Sequence, residues 1–226
     1  MRKNKAQMKV DVKNIKGEVI DNLSASDFVW NQSMNEIMVH QVVVAQLNNK
    51  RQGTSNTLRR RDVNYSTAKL RGQKGAGRAR VGSRSSHVLG NSVAHGPHPR
   101  SYNQKIQKKV RKASLRMVLS EKLKGGEVMV IDKFELKEFS AKKASSIIKS
   151  LGLPQKTLIV MQNSEINEEL LGSLKNITNI KTIASNLINT YDIMNSNQLV
   201  ITREAFKSIE EIWDSNPKKR GIKDED

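Results

Sequence analysis

The apolar positions of this chain keep two rhythms, and between them lies a stretch that keeps neither. Near the start, residues 7–12 (QMKVDV) and 17–20 (GEVI) bracket Lys16-Gly17 and predict a short hairpin. Residues 24–33 show no period and read as irregular. Over 34–49, Ile37, His40, Gln41, Val44 and Leu47 recur at near-helical spacing, and Ser33 is placed to cap the start. The β-branched run Val42-Val43-Val44 pulls towards strand. The pattern outlasts an ordinary strand, so the prediction is a helix. A second helix is predicted over 103–125, with Ile106, Val110, Ala113, Leu115, Met117, Leu119 and Leu123 as its apolar positions. Lys105, Lys108, Lys109 and Lys112 share much of its other side, and Gly125-Gly126 stops it.

Beyond Gly126 the alternation is regular. Strands are predicted at 128–131, 157–161, 180–183 and 198–201. Helices are predicted at 140–151 behind Ser140, at 164–174 behind Ser164, briefly at 190–194, and from Thr202 to about 213. Continuous apolar strands separated by helices imply a parallel sheet covered on both faces. The expected fold is α/β: a mostly parallel sheet with helices on both faces, a Rossmann-like three-layer domain, plus a long extended basic loop. One globular domain would comprise residues 7–49 and 103–213, with 50–102 inserted in it. Residues 1–6 read as an N-terminal extension and 214–226 as a disordered tail. No internal repeat is visible.

The unpatterned stretch, 50–102, is rich in Gly, Ser, Asn and Arg. Loops of this length inside compact domains are uncommon, and functional or disordered when they occur. Charge changes the picture. Residues 50–116 hold 18 cations against the single acid Asp62, so this window carries +17 of the chain's +18. A nearly neutral body bears one polycationic segment, and nucleic acid is the commonest polyanion. Aromatics are 4%, too few for a surface that reads single-stranded bases by stacking. A membrane surface would want a basic amphipathic helix with bulky anchors, which a Gly-rich loop is not. No apolar run approaches the roughly 18 residues of a membrane span. The N-terminus lacks the apolar core of a signal peptide. With no cysteine in 226 residues, disulfides and thiolate metal sites are excluded. An intracellular protein is the default expectation.

The densest chemistry is RGQKGAGRARVGS, residues 71–83. Glycines at this density let backbone approach phosphates that Arg and Lys neutralise. A dinucleotide-binding turn would need a further glycine where Arg80 stands, with a strand before and a helix after. A phosphate loop of the NTPase type would need Gly-Lys-Ser/Thr, which is missing. His95-x-x-His98 lacks the cysteine or carboxylate partners of a zinc pair. His40 reads as packed or hydrogen-bonded. Ser83, Ser85 and Ser86 beside His87 sit in a loop too mobile to hold a nucleophile in place. Glu165, Glu168, Glu169, Glu210 and Glu211 read as solvated helix faces. No enzymatic activity, cofactor or small-molecule substrate is expected.

Several of these segments together resemble a known family. Val39-His-Gln-Val-Val-Val-Ala45, Arg51-Gln-Gly-Thr54, Gln73-Lys-Gly-Ala-Gly-Arg-Ala-Arg80, Gly82-Ser83, Val93-Ala-His-Gly-Pro97 and Lys108-Lys-Val-Arg111 are similar to bacterial ribosomal protein L-four of the large subunit. The resemblance covers about residues 7–213 and is strongest in the loop. The chain departs from the usual pattern at Leu70-Arg71-Gly72 and around Val88 to Ser92.

The resemblance implies a globular α/β domain and a long loop that penetrates 23S-type rRNA and helps line the polypeptide exit tunnel. It implies a cytoplasmic protein of the large subunit, bacterial or organellar. Its partners would be rRNA, neighbouring large-subunit proteins and the nascent polypeptide, with no membrane. Carried over, Arg71, Gly72, Gln73 and Lys74 would form the tunnel-lining tip. Arg78, Arg80 and Arg84 would contact rRNA beside it. Arg51, Arg59, Arg60 and Arg61 would line the outgoing arm. Lys50, Lys69, Gly75, Gly77, Arg100, Lys105, Lys108, Lys109 and Arg111 complete the expected rRNA contacts. Family members act early in subunit assembly. An alternative is an RNA-binding regulator acting on its own operon mRNA or on transcription.

Overall fold

The computed structural model describes residues 8–83, 90, 92–134, 139–153 and 156–213. The extension at 1–6 and the tail at 214–226 lie outside them. The chain divides into two compact units: Met1–Gln46 with Lys105–Asp226, and Leu47–Gln104.

In the first unit, β1 (Met8–Lys13) and β2 (Val19–Ala25) form the antiparallel hairpin expected around Lys16-Gly17. Gly17 takes φ +90°, which only glycine adopts without strain. The stretch 24–33 is not irregular. β2 runs on to Ala25, and a single helical turn, α1 (Asp27–Trp30), buries Val29 and Trp30 completely. Trp30 stacks on Phe206 with ring centroids 4.7 Å apart and planes 7° from parallel. One turn is too short to show a period, and its cause is tertiary.

α2 (Glu36–Lys50) begins later than the pattern suggests, and its cap is Asn35: Met38 N–H donates to Asn35 Oδ1 at 3.1 Å. Its buried face is Val39, Val42 and Ala45, whereas Ile37, His40, Gln41 and Leu47 are exposed or only partly covered. Of the β-branched run only Val42 belongs to that face, while Val43 and Val44 are half-buried. α3 (Lys108–Lys124) starts five residues after the expected onset, so Lys105 and Ile106 lie before the helix, outside regular secondary structure. Its C-terminus follows the glycine pair. Gly126 N–H donates to Leu123 O (3.1 Å) and Glu127 N–H to Lys122 O (2.9 Å), with Gly126 at φ +70°.

Then come β3 (Val128–Ile131), α4 (Ala141–Ser150), β4 (Thr157–Met161), α5 (Glu168–Lys175), β5 (Ile180–Ala184), α6 (Thr190–Asn195), β6 (Gln198–Thr202) and α7 (Arg203–Trp213). Ser140 caps α4, accepting from Lys143 N–H at 3.3 Å, and Thr202 Oγ1 accepts from Ala205 N–H at 3.3 Å. Ser164 caps nothing. It sits in a 3-10 turn, Asn163–Glu165, and Asn167 precedes α5. Glu165 fixes that turn by accepting from Gln162 N–H (3.0 Å) and Thr202 Oγ1–H (2.5 Å). Glu210 accepts from Ser26 N–H (2.6 Å) and Trp30 Nε1–H (3.1 Å). These two acids are structural ties, not solvated faces.

The strand order is β2-β1-β3-β6-β4-β5, with every pair parallel except β1–β2. The last strand, β6, lies in the middle. Alternate residues feed two cores. Val130, Leu158, Val160, Leu199 and Ile201 face the layer of α1, α2, α3, α6 and α7; Ile131, Ile159, Met161 and Val200 face α4 and α5. The sheet is covered on both faces, as its near-continuous apolar strands require.

Candidate nucleic-acid interface

The second unit holds no strand or α-helix beyond the end of α2 among its described residues; it has one 3-10 turn, Arg60–Asp62. Its two arms are nevertheless joined. Gln104 N–H donates to Asn49 Oδ1 (2.7 Å) and Asn49 Nδ2 to Gln104 O (3.2 Å). Further along, Arg100 N–H donates to Gly53 O (3.1 Å), Thr57 Oγ1 to Pro97 O (3.2 Å), Val93 N–H to Leu58 O (3.0 Å) and Leu70 N–H to Gly82 O (2.9 Å). Each step forward in one arm is a step back in the other. The stretch is an antiparallel ribbon held by scattered single bonds, too sparse to form a ladder. The Asn49–Gln104 tie also explains the late start of α3, since it occupies both backbone groups of Gln104.

Two glycines permit the close approach. A Cβ at Gly53, which has φ +72°, would lie 2.1 Å from Arg100 O; one at Gly96 would lie 2.1 Å from Thr57 Oγ1. Both ring nitrogens of His98 are used within the ribbon. Nε2 accepts from Arg59 Nε, so Nδ1 carries the proton and donates to Asn56 Oδ1 (3.1 Å). That leaves no nitrogen for a metal beside His95. Sequence reasoning missed Asn49, Gly53, Gly96, His98 and Tyr102 as the residues that close the ribbon. The available signal was the pair of glycines in Arg51-Gln-Gly53 and Ala94-His-Gly96, one in each arm.

The bond from Leu70 to Gly82 closes a terminal turn of residues 71–81. Arg71 is half-buried there, while Gly72, Gln73, Lys74, Arg78 and Arg80 are exposed. Gly75 (φ +82°) and Gly77 (φ +58°) make the reversal, so Arg71 to Lys74 form its incoming limb. Lys69 Nζ donates to Gln73 Oε1. Arg51, Arg59, Arg60, Arg61, Lys50, Lys69 and Arg100 are exposed along the arms. Asp62 accepts from Arg59 N–H (3.1 Å) and lies 3.3 Å from Arg61 Nε. Arg84 falls outside the described residues, as do Ser85, Ser86 and His87.

In the first unit, Lys105, Lys108, Lys109 and Arg111 are exposed, and Lys112 is half-buried with Nζ 5.9 Å from the Trp213 ring centroid. The first turn of α3 carries no acid. Cations at the positive end of a 17-residue helix oppose its dipole, so they do not serve the helix itself. No helix among the described residues is long and apolar enough to cross a membrane.

A neutral α/β body with its positive charge concentrated in one ribbon and one helix start has the charge distribution of a protein that works against a polyanion. The comparisons with known proteins give the family. Residues 23–212 match the ribosomal protein L4/L1 family, and the chain belongs to that family. It is 40% identical to large ribosomal subunit protein uL4 of Dehalococcoides mccartyi, over 91% of this chain and 98% of that one. It is 38% identical to the uL4 of Finegoldia magna (91% and 99%) and 37% identical to that of Symbiobacterium thermophilum (90% and 98%).

Proposed function

We infer that this protein is a structural constituent of the large ribosomal subunit in the bacterial cytoplasm, and that it binds 23S-type rRNA. The inserted stretch 50–102 and the start of α3 provide the binding surface. The observation that carries this reading is the charge: +17 within residues 50–116, of which +11 falls in 50–102, a stretch with too little apolar surface to form a core of its own, and the rest at and just before the start of α3. The uL4 relatives, matched over nearly their whole length, support the assignment to the large subunit. Arginine outnumbers lysine in the turn of residues 71–81, which suits bidentate phosphate binding and stacking in folded RNA. The limb Arg71 to Lys74 would reach the wall of the polypeptide exit tunnel and face the nascent chain. Neighbouring ribosomal proteins would pack around the body, and the chain would act early in assembly. Chemistry belongs to the RNA, with this protein as scaffold and wall.

The test compares the full chain with one lacking residues 71–81 for binding to 23S-type rRNA across salt concentrations. The deletion removes Arg71, Lys74, Arg78 and Arg80. The slope of log affinity against log salt should become shallower by roughly three, at about 0.7–0.9 for every phosphate these cations neutralise. An unchanged slope moves recognition from the terminal turn to the arms of the ribbon and the α3 cations. Co-sedimentation with large subunits separates a ribosomal constituent from a regulator acting on mRNA.

A further inference from the structure

One side chain at the foot of the ribbon has no part in simple phosphate neutralisation. Tyr102 is half-buried, and two guanidinium groups lie over its ring: Arg51 Cζ is 4.1 Å from the centroid and Arg100 Cζ 4.4 Å. The backbone is built to bring them there. Arg100 N–H donates to Gly53 O at 3.1 Å, and a Cβ at Gly53 would lie 2.1 Å from Arg100 O and 3.1 Å from two ring carbons of Tyr102. The Arg100 guanidinium beside the phenol holds its pKa below the usual tyrosine value, and the charge of Arg51 acts in the same direction.

Two like charges gathered on one ring repel each other. Among the described residues, no carboxylate forms an ion pair with either Arg51 or Arg100. A guanidinium stacked by its face keeps its N–H edges for another ligand, and that fork fits a phosphate. Holding both arginines on the ring also removes, in advance, rotamer freedom that each would otherwise give up on binding RNA.

We propose that Tyr102 is a positioning residue that holds Arg51 and Arg100 as a preformed clamp for an RNA phosphodiester at the base of the ribbon. This rests on the rRNA-binding reading and deepens it. Arg51 and Arg100 belong to opposite arms, so a phosphate held between them also locks the arms together. The clamp reads no sequence; it sets where on the RNA backbone the ribbon begins.

The test measures binding of the full chain to 23S-type rRNA over a range of salt, with Tyr102→Leu, Tyr102→Phe, Arg51→Ala/Arg100→Ala, and the triple variant. Tyr102→Phe keeps the ring and should bind within about twofold of wild type. Tyr102→Leu should bind about tenfold more weakly, with a slope shallower by roughly 0.7–0.9 for each phosphate that is no longer neutralised. Adding Tyr102→Leu to the double arginine variant should change nothing further, because Tyr102 acts only through those side chains. Tyr102 lies outside both apolar cores, so thermal unfolding of the body should be unaltered.

A Tyr102→Leu chain with wild-type slope overturns the clamp. So does a triple variant weaker than the double, or a Tyr102→Phe chain as weak as Tyr102→Leu. Each of these outcomes leaves the rRNA reading standing, provided the wild-type slope is steep. A wild-type chain without a negative slope overturns both.

Discussion

The Tyr102 phenol sits in the field of two guanidinium groups, and that field has a measurable sign. The guanidinium groups of Arg100, first, and of Arg51 favour the ionised ring and lower its pKa from the ordinary value of about 10. A depressed acid contributes stability above its unfolded pKa and loses it as pH falls through the folded one. The ribbon's base should therefore tighten as pH rises through the folded value. The chain has three tyrosines, so the difference in tyrosinate absorbance between wild type and Tyr102→Phe isolates this group. That difference should titrate below the usual value and move up in Arg100→Ala; a midpoint at or above the usual value would refute the pairing. Other single residues were harder to read. Glu165 and Glu210 look like any surface acid on an amphipathic helix. Their roles depend on Thr202 and on Ser26 and Trp30, which the fold brings across 37, 184 and 180 positions of sequence.

At the scale of elements, local chemistry decides most ends. The end of α3 illustrates how closely. Gly125 and Gly126 look equivalent in sequence, but only Gly126 has positive φ, whereas Gly125 is in ordinary helical conformation at φ −73°. Gly126→Ala should destabilise the body by about 1 kcal/mol. Gly125→Ala should be neutral or stabilising by about 0.4–1 kcal/mol through the unfolded chain. Urea unfolding of the two variants checks the asymmetry, and equal effects would contradict the cap geometry. Helix onsets were less legible than stops. Asn35 replaces Ser33 at α2, and α3 waits until Lys108 because Gln104 is tied to Asn49. A competing cap or a distant tie leaves no local mark on the apolar period.

At the scale of the whole molecule, the two units are held by different kinds of force. The first has two apolar cores and a hydrogen-bonded sheet. The second has scattered arm-to-arm bonds and exposed charge. Opening free energies follow buried apolar surface and protected backbone bonds. Amide hydrogen exchange of the free protein should be slow in β3, β4 and β6 and fast through residues 71–81. Binding of 23S-type rRNA should slow the second group selectively. Slow exchange of residues 71–81 in the free chain would mean that the ribbon holds its shape without RNA.

The apolar alternation after Gly126, together with the 18 cations crowded into 50–116, determined an α/β body with one polycationic excursion. Helical and strand periods are local, and charge is a sum over residue types, so neither needs coordinates. Six short segments, with the run at 73–80 the most specific of them, were likewise enough for family resemblance. Tertiary structure alone placed β6 between β3 and β4, since strand order depends on where each crossover packs. It alone turned Ser120 into a link between α3 and the chain at α1, its hydroxyl accepting from Gln32 N–H at 2.9 Å while lying 3.1 Å from Val29 O. And it alone brought Arg51, Gly53, Arg100 and Tyr102 together. Positions some fifty residues apart meet there because a glycine without a side chain lets two arms of the chain close on one aromatic ring.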